Sequence, residues 1–227
     1  MSRTLRFPLL SRIARRVSTV SPTYDPKTYW ENRARDLIDT YDRPETWPQR
    51  GWMCAGVEEE AVPRLLVNAG CTTVLIPGAG SGRQYRFLLD AGFLPRGFDI
   101  STQLVEECRA RFPEVRTWVG DVTEAQMHSE PADAVVTSAV LQHVSPEHVA
   151  KAVRSLKALA SKLIIIREIT SLNGVSQYQF AHNYSELFAD CGEVFREVTD
   201  ASEAVTVELI AWSTPTRPGA VGRRGVP

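Results

Sequence analysis

The chain has 227 residues, 43% of them hydrophobic and 23% charged, with a formal net charge of −1 and a sequence pI near 6.4. That length and balance suit one sizeable globular domain with its own core. The near-neutral charge argues against a broad nucleic-acid-binding face, though not against a local basic patch.

Residues 1–24 hold Arg3, Arg6, Arg12, Arg15 and Arg16, several Ser and Thr, and no acid. The composition fits either a disordered basic tail or, in a eukaryotic source, a mitochondrial transit peptide. Asp25–Ala69 reads as mostly helical and precedes the first strand, so it is expected to cover one end of a sheet. Alternation then sets in. Thr72–Ile76 is a short buried strand, and Ser81–Ala91 has helical periodicity at Tyr85, Leu88 and Leu89. Leu94–Asp99 is a second strand, followed by a helix over Thr102–Arg111 capped by Ser101. Val115–Val119 and Ala132–Ser138 are strands three and four. Pro146–Ser161 is a helix with proline in its first turn. Lys162–Glu168 is a fifth strand whose Leu163–Ile166 run is apolar on both faces, as in a covered parallel sheet.

The pattern changes after Glu168. Ser185–Asp190 is a short helix. Glu193–Thr199 and Ala204–Ala211 are strands whose four-residue link, Asp200–Glu203, is too short for a parallel crossover. The fold class expected is α/β: a doubly wound, mostly parallel, seven-stranded, Rossmann-like sheet closed by an antiparallel C-terminal hairpin. The domain is expected to span residues 25–213, with a helical lid over 25–69. The Pro-, Gly- and Arg-rich stretch 214–227 reads as a disordered tail. Cys54, Cys71, Cys108 and Cys191 form no C-x-x-C pair. That weighs against a zinc site or disulfide framework and suits a cytosol-like compartment, so no metal ligands are assigned. Nothing approaches the roughly 18 consecutive apolar residues of a membrane helix.

Ligands of open α/β sheets bind beyond the carboxyl ends of the strands. The stretch Val74–Gly82, V-L-I-P-G-A-G-S-G, places Gly78, Gly80 and Gly82 at such an end. Glycines there allow a tight turn and close approach to a ligand, and the following helix offers free N–H groups to an anion. Asp99 and Asp121 end the next two strands. Asp99 follows Gly78 by about 20 residues, the distance at which an acid meets a ribose hydroxyl. Asp121 stands where it can accept a hydrogen bond from an adenine amino group. The plainer alternatives are an ordinary strand-to-helix turn for the glycines and solvated or N-capping carboxylates for the acids. Arg83 stands where the dinucleotide fingerprint G-x-G-x-x-G has its third glycine, which counts against NAD and FAD. The phosphate loop G-x-x-x-x-G-K-[ST] is absent.

These residues together resemble the class I S-adenosylmethionine-dependent methyltransferases. V-L-I-P-G-A-G-S-G-R resembles their glycine loop, F-D-I-S with Asp99 their ribose-binding acid, and G-D-V with Asp121 the acid near the adenine. A-D-A-V-V-T-S-A-V-L-Q-H-V resembles their fourth-strand motif, and Thr28–Arg35 the lid helix of small-molecule members. The likeness runs from about Tyr29 to Trp212. It implies S-adenosylmethionine as cofactor, bound by Gly78, Ala79, Gly80, Gly82, Arg83, Asp99, Ile100, Asp121, Val122 and Ser138, with Tyr29 and Arg33 closing over it. One departure stands out. The family often carries an acid two residues before the first glycine, and Ile76, followed by Pro77, occupies that position.

A general base is needed only where the attacking atom begins protonated. The candidates are His143, Glu168, His182 and Tyr184, against packing, ion-pairing and loop-anchoring alternatives for each. The sequence lacks D/N-P-P-[YF] after strand four, which weakens the reading as an amide-nitrogen methylase of that type. The expectation is methyl transfer to O or N, less readily S or C, of a small-molecule acceptor, by a monomer or homodimer with no nucleic-acid partner and no membrane span. The compartment expected is cytoplasmic, or mitochondrial if the source is eukaryotic. The alternatives are a protein or RNA methyltransferase and a non-catalytic S-adenosylmethionine-binding protein on the same fold.

Overall fold

Seven strands form one sheet in the computed structural model, which describes residues 24–41, 55–174, 176 and 178–215. In chain order they are β1 (Thr73–Pro77), β2 (Leu94–Asp99), β3 (Thr117–Val119), β4 (Ala132–Ser138), β5 (Ala160–Leu172), β6 (Gly192–Ala201) and β7 (Val205–Ser213). The spatial order is β3-β2-β1-β4-β5-β7-β6. The first five are parallel, while β7 runs antiparallel to both β5 and β6. Strand order therefore reverses between β1 and β4, the place where such sheets open a crevice.

Helices cover both faces. They are α1 (Pro26–Tyr41), α2 (Ala55–Asn68), α3 (Arg83–Asp90), α4 (Thr102–Arg111), α5 (Ala125–His128), α6 (Pro146–Leu159) and α7 (Tyr184–Leu187). On one face Leu156, Val153 and Leu159 of α6 pack with Val135, Ile164, Ile166 and Trp212. On the other, Val62 and Leu66 of α2, Leu88 of α3 and Cys108 of α4 pack with Val74, Ile76, Val136 and Ile165. Alternate residues of β5 thus enter opposite cores, which is why its run Leu163–Ile166 is apolar throughout. Each such side chain contributes about 1.5–3 kcal/mol when fully buried.

Most element boundaries agree with the sequence reading. The largest difference is β5, expected to stop at Glu168 but continuing to Leu172 because β7 pairs with it as far as Leu172↔Val205. The short helix begins at Tyr184, where Asn183 Oδ1 accepts from the Glu186 N–H at 3.2 Å. The expected lid is represented by α1 and α2, while residues 42–54 lie outside the described residues, as do residues 1–23 and 216–227 of the two expected tails. Tyr24, set in the N-terminal tail by composition, packs against Tyr29 and Tyr178 with centroids 5.6 and 5.4 Å away. Among the described residues no helix is long and apolar enough to cross a membrane.

Candidate active site

A cavity of about 1160 Å³ opens at the carboxyl ends of β1, β2, β4 and β5. Gly78–Ser81 forms its floor. Gly78, Gly80 and Gly82 all lie in the left-handed region, at φ of 69°, 56° and 90°, which favours glycine. Their surroundings separate their roles. A Cβ on Gly78 would stand 2.2 Å from Val140 Cγ2, so this glycine lets the loops after β1 and β4 meet. A Cβ on Gly82 would strike Phe112 and Cys108, so this one lets α4 pack beneath the loop. Gly82 is not among the residues that border the cavity. Gly80 has nothing within 4 Å of a Cβ and borders the cavity. It is where a ligand can approach the backbone.

Ala79, Arg83, Asp99, Ile100, Asp121, Val122 and Ser138 also border the cavity. Asp99 is 7% exposed. Its Oδ2 accepts from the Gly80 N–H and its Oδ1 from the Ser101 N–H, each at 2.9 Å. Burial raises its pKa against the pull of those amides. The acid at the end of β2 therefore fixes the glycine loop while facing the crevice. Asp121 Oδ1 takes the Thr123 N–H at 2.7 Å and the Thr123 hydroxyl at 2.8 Å, which orients its carboxylate at the end of β3.

The opposite wall is aromatic. Tyr29 of α1 stacks on Tyr178 at 4.6 Å between centroids, and Trp30 meets His143 edge-on at 4.7 Å. Arg33 lies over the Tyr29 ring at 5.6 Å. Tyr29 and Arg33 border the cavity, so α1 lies over its mouth. His143 Nδ1 donates to the Tyr178 carbonyl. The Gln142 side-chain oxygen is held by the Ile169 N–H at 3.1 Å, which turns its amide nitrogen toward His143 Nε2 at 3.4 Å. Burial pulls the imidazole down to about 4, against the raising effect of the Tyr178 carbonyl. It is neutral near pH 7 with Nε2 as its lone-pair nitrogen.

The other three candidate bases do not reach the cavity. Glu168 is 0% exposed and accepts from the N–H groups of Val140, Leu141 and Gln142 at 3.0, 3.1 and 3.0 Å. It shapes the loop after β4, where Ala139 sits at φ 56°. That is a strained conformation for a residue with a Cβ, held by its neighbours. His182 points Nε2 at the Leu141 and Val144 carbonyls, 3.1 and 3.0 Å away. Tyr184 is buried, and among the described residues its hydroxyl has no hydrogen-bond partner. All three were placed near the acceptor by position along the chain. The fold turns them into the packing behind the cavity wall.

Residues 74–162 match a family model described as a methyltransferase domain. That stretch, from β1 into β5, is similar to a methyltransferase domain, and the solved structures below share its fold. No curated protein matches the chain. Among solved structures, magnesium protoporphyrin IX methyltransferase from Synechocystis PCC 6803 with bound SAM is 18% identical, covering 87% of this chain and 100% of its own, with a TM-score of 0.67. Burkholderia thailandensis 1,6-didemethyltoxoflavin-N1-methyltransferase, with bound 1,6-didemethyltoxoflavin and S-adenosylhomocysteine, is 17% identical over 86% of this chain and 93% of its own, with a TM-score of 0.60. An S-adenosylmethionine-dependent methyltransferase from Clostridium acetobutylicum ATCC 824 is 7% identical over 78% of this chain and 98% of its own, at 0.64.

Three residues in or beside the candidate site escaped the sequence reading. Glu58 on α2 is 1% exposed and borders the cavity. It accepts from Arg83 Nη2 at 2.6 Å, from Gln84 Nε2, and from the Ser138 hydroxyl at 3.2 Å. Its spacing with Val62 and Leu66 on the buried face of α2 is the signal that could have found it. Glu31 of α1 accepts from the Ser101 hydroxyl and from the Gln103 N–H at 3.4 Å, tying the lid helix to the start of α4. Tyr178 lies in an irregular segment where no periodicity marks it.

Proposed function

We propose that the protein transfers a methyl group from S-adenosylmethionine to an oxygen or nitrogen of a small-molecule acceptor. The observation that carries this reading is one continuous cavity. It joins the open face of Gly80, flanked by Asp99 and Asp121, to the aromatic wall of Tyr29, Tyr178 and His143. Its volume of about 1160 Å³ exceeds the upper end of an ordinary pocket for one drug-sized ligand, roughly 1,000 Å³. It can therefore house a cofactor and a second small molecule together. The neighbours that act on a porphyrin and on a toxoflavin precursor support a small organic acceptor.

The cofactor, when bound, supplies a methyl group already activated on a cationic sulfur. The protein's own work is positioning and the exclusion of water. Asp99 would receive the ribose hydroxyls, Asp121 the adenine amino group, and Gly80 the methionine chain. Tyr29, Trp30 and Arg33 on α1 would cover the cavity and keep water out. His143 is the one candidate base that borders the cavity. Its Nδ1–H is committed to the Tyr178 carbonyl, so Nε2 is the atom that would accept a proton from a protonated acceptor.

Titration calorimetry with S-adenosylmethionine tests the cofactor half, with binding expected. A panel of small hydroxyl- and amine-bearing acceptors, read by formation of S-adenosylhomocysteine, tests the other half. Absence of binding by the wild-type chain would defeat the reading.

A further inference from the structure

Ile76 stands where the resembled family often has an acid, and its side chain is fully buried in the core beneath α2. An acid there would join a buried apolar cluster that includes Val62 and Leu66, where desolvation opposes its charge. The glycine loop does not lack a carboxylate, however. Glu58 reaches the same side of the sheet from α2, contacting the first turn of α3 and the end of β4. We propose that Glu58, supplied by the helix before the sheet, receives the α-ammonium group of the bound cofactor in place of the acid absent from β1. This rests on the cofactor assignment above.

Three observations argue for it. Glu58 is nearly inaccessible from bulk solvent yet borders the cavity beside Gly78, Gly80 and Arg83. Its carboxylate has about four acceptor sites. Among the described residues Arg83 and Ser138 donate to Oε2 and Gln84 to Oε1, fewer bonds than the carboxylate can accept. The local charge also matches an amino acid rather than a simple cation. Arg167 pairs with Ser138 across β4 and β5, borders the cavity, and acts electrostatically on Glu58 together with Arg83. Among the described residues its Nε has no hydrogen-bond partner. Two guanidinium groups beside the carboxylate suit a ligand group that bears a carboxylate as well as an ammonium. Burial opposes the ionised form of Glu58, but the two arginines hold its pKa below the ordinary value, so it remains an acceptor.

The test is a calorimetric cycle on the full chain with S-adenosylhomocysteine, its desamino analogue, and methylthioadenosine, which lacks the whole amino-acid group. Wild type should bind S-adenosylhomocysteine at least tenfold more tightly than the desamino analogue. Glu58→Gln should weaken S-adenosylhomocysteine by about 10- to 100-fold, the range of a lost charge-assisted hydrogen bond. It should bind S-adenosylhomocysteine and its desamino analogue alike and leave methylthioadenosine unchanged. A Glu58→Gln protein that still discriminates, or that loses all three ligands equally, overturns the proposal, the second result marking Glu58 as structural only. If that variant does not fold, wild type and Glu58→Asp decide: a wild type indifferent to the amino group, or an Asp variant weakened equally for all ligands, overturns it. A wild type that binds none of the three defeats the cofactor assignment first, a distinct result.

Discussion

The two ends of the cavity each depend on a buried carboxylate that grips main-chain amides. Asp99 ends β2 and holds Gly80 and Ser101, while Glu168 lies on β5 and holds Val140, Leu141 and Gln142. In sequence both are polar residues expected at the carboxyl end of a strand. In the structure Asp99 borders the crevice, and Glu168 lies behind its wall. The difference is what covers them. Asp99 meets the glycine loop at Gly80, which has no side chain to cover it. Glu168 is roofed by the loop it organises and by β7, which pairs Glu208 opposite it. A strand-end acid is a ligand contact only where the next loop leaves it uncovered.

The comparison breaks most readily on stability. Glu168→Ala would leave three buried N–H groups without an acceptor, so it should cost about 3 kcal/mol or more in denaturant unfolding. It should also disorder the strained turn at Ala139. The wild-type group has a pH signature as well. Burial, offset by the three amides, pushes the Glu168 carboxyl up to about 7. A carboxyl whose folded pKa is raised contributes stability that is fully present below its unfolded value of about 4.5 and is lost as pH rises through about 7. Glu168→Gln should therefore flatten the fall in stability over that window. An unchanged slope would show that another group carries it. Asp99→Ala is expected to act on the ligand instead, weakening S-adenosylmethionine about 100-fold, or roughly 2.7 kcal/mol, by calorimetry. Equal ligand losses in both variants would erase the distinction between the two ends.

Within the cofactor end the same contrast recurs between two glycines. Gly78→Ala adds a clash with Val140 to an unfavourable φ, and about 2 kcal/mol of stability should be lost. Gly80→Ala meets only the backbone penalty of about 1 kcal/mol, because its Cβ would enter open space. Yet that space borders the cavity, so Gly80→Ala should weaken the cofactor by the greater factor. Reversal of either order in paired melting and binding measurements would place the ligand elsewhere on the loop.

What could be read from the sequence divides along the same line. β2, α4 and β4 have the boundaries that periodicity and capping imply, because neighbours in sequence decide them: Ser101 Oγ accepts the Leu104 N–H at 3.2 Å, as an N-cap should. Asp99 and Asp121 follow from the same local pattern. Glu58 does not, because its partners Arg83, Gln84 and Ser138 come from elements distant in the chain. It is the first of three consecutive glutamates, and Glu59 and Glu60 are exposed. Arg167 and Glu168 read as the end of a strand because charge interrupts an apolar run. The antiparallel partner β7 carries β5 past them and buries Glu168.

The smallest effect is expected at Tyr184, and it bears on the acceptor end directly. Its hydroxyl is enclosed without a hydrogen-bond partner among the described residues, and burial, with the nearby Glu168 charge, pushes the phenol pKa upward. A phenol in that state neither gives up its proton nor reaches the cavity. Removing an unsatisfied buried hydroxyl costs the fold nothing and can relieve part of its desolvation penalty. Tyr184→Phe should therefore keep wild-type turnover and melt at the same temperature or slightly higher, by no more than about 1 kcal/mol in stability. A loss of turnover with stability intact would bring the phenol into the reaction. It would require the segment between Tyr178 and Tyr184 to rearrange when the acceptor binds.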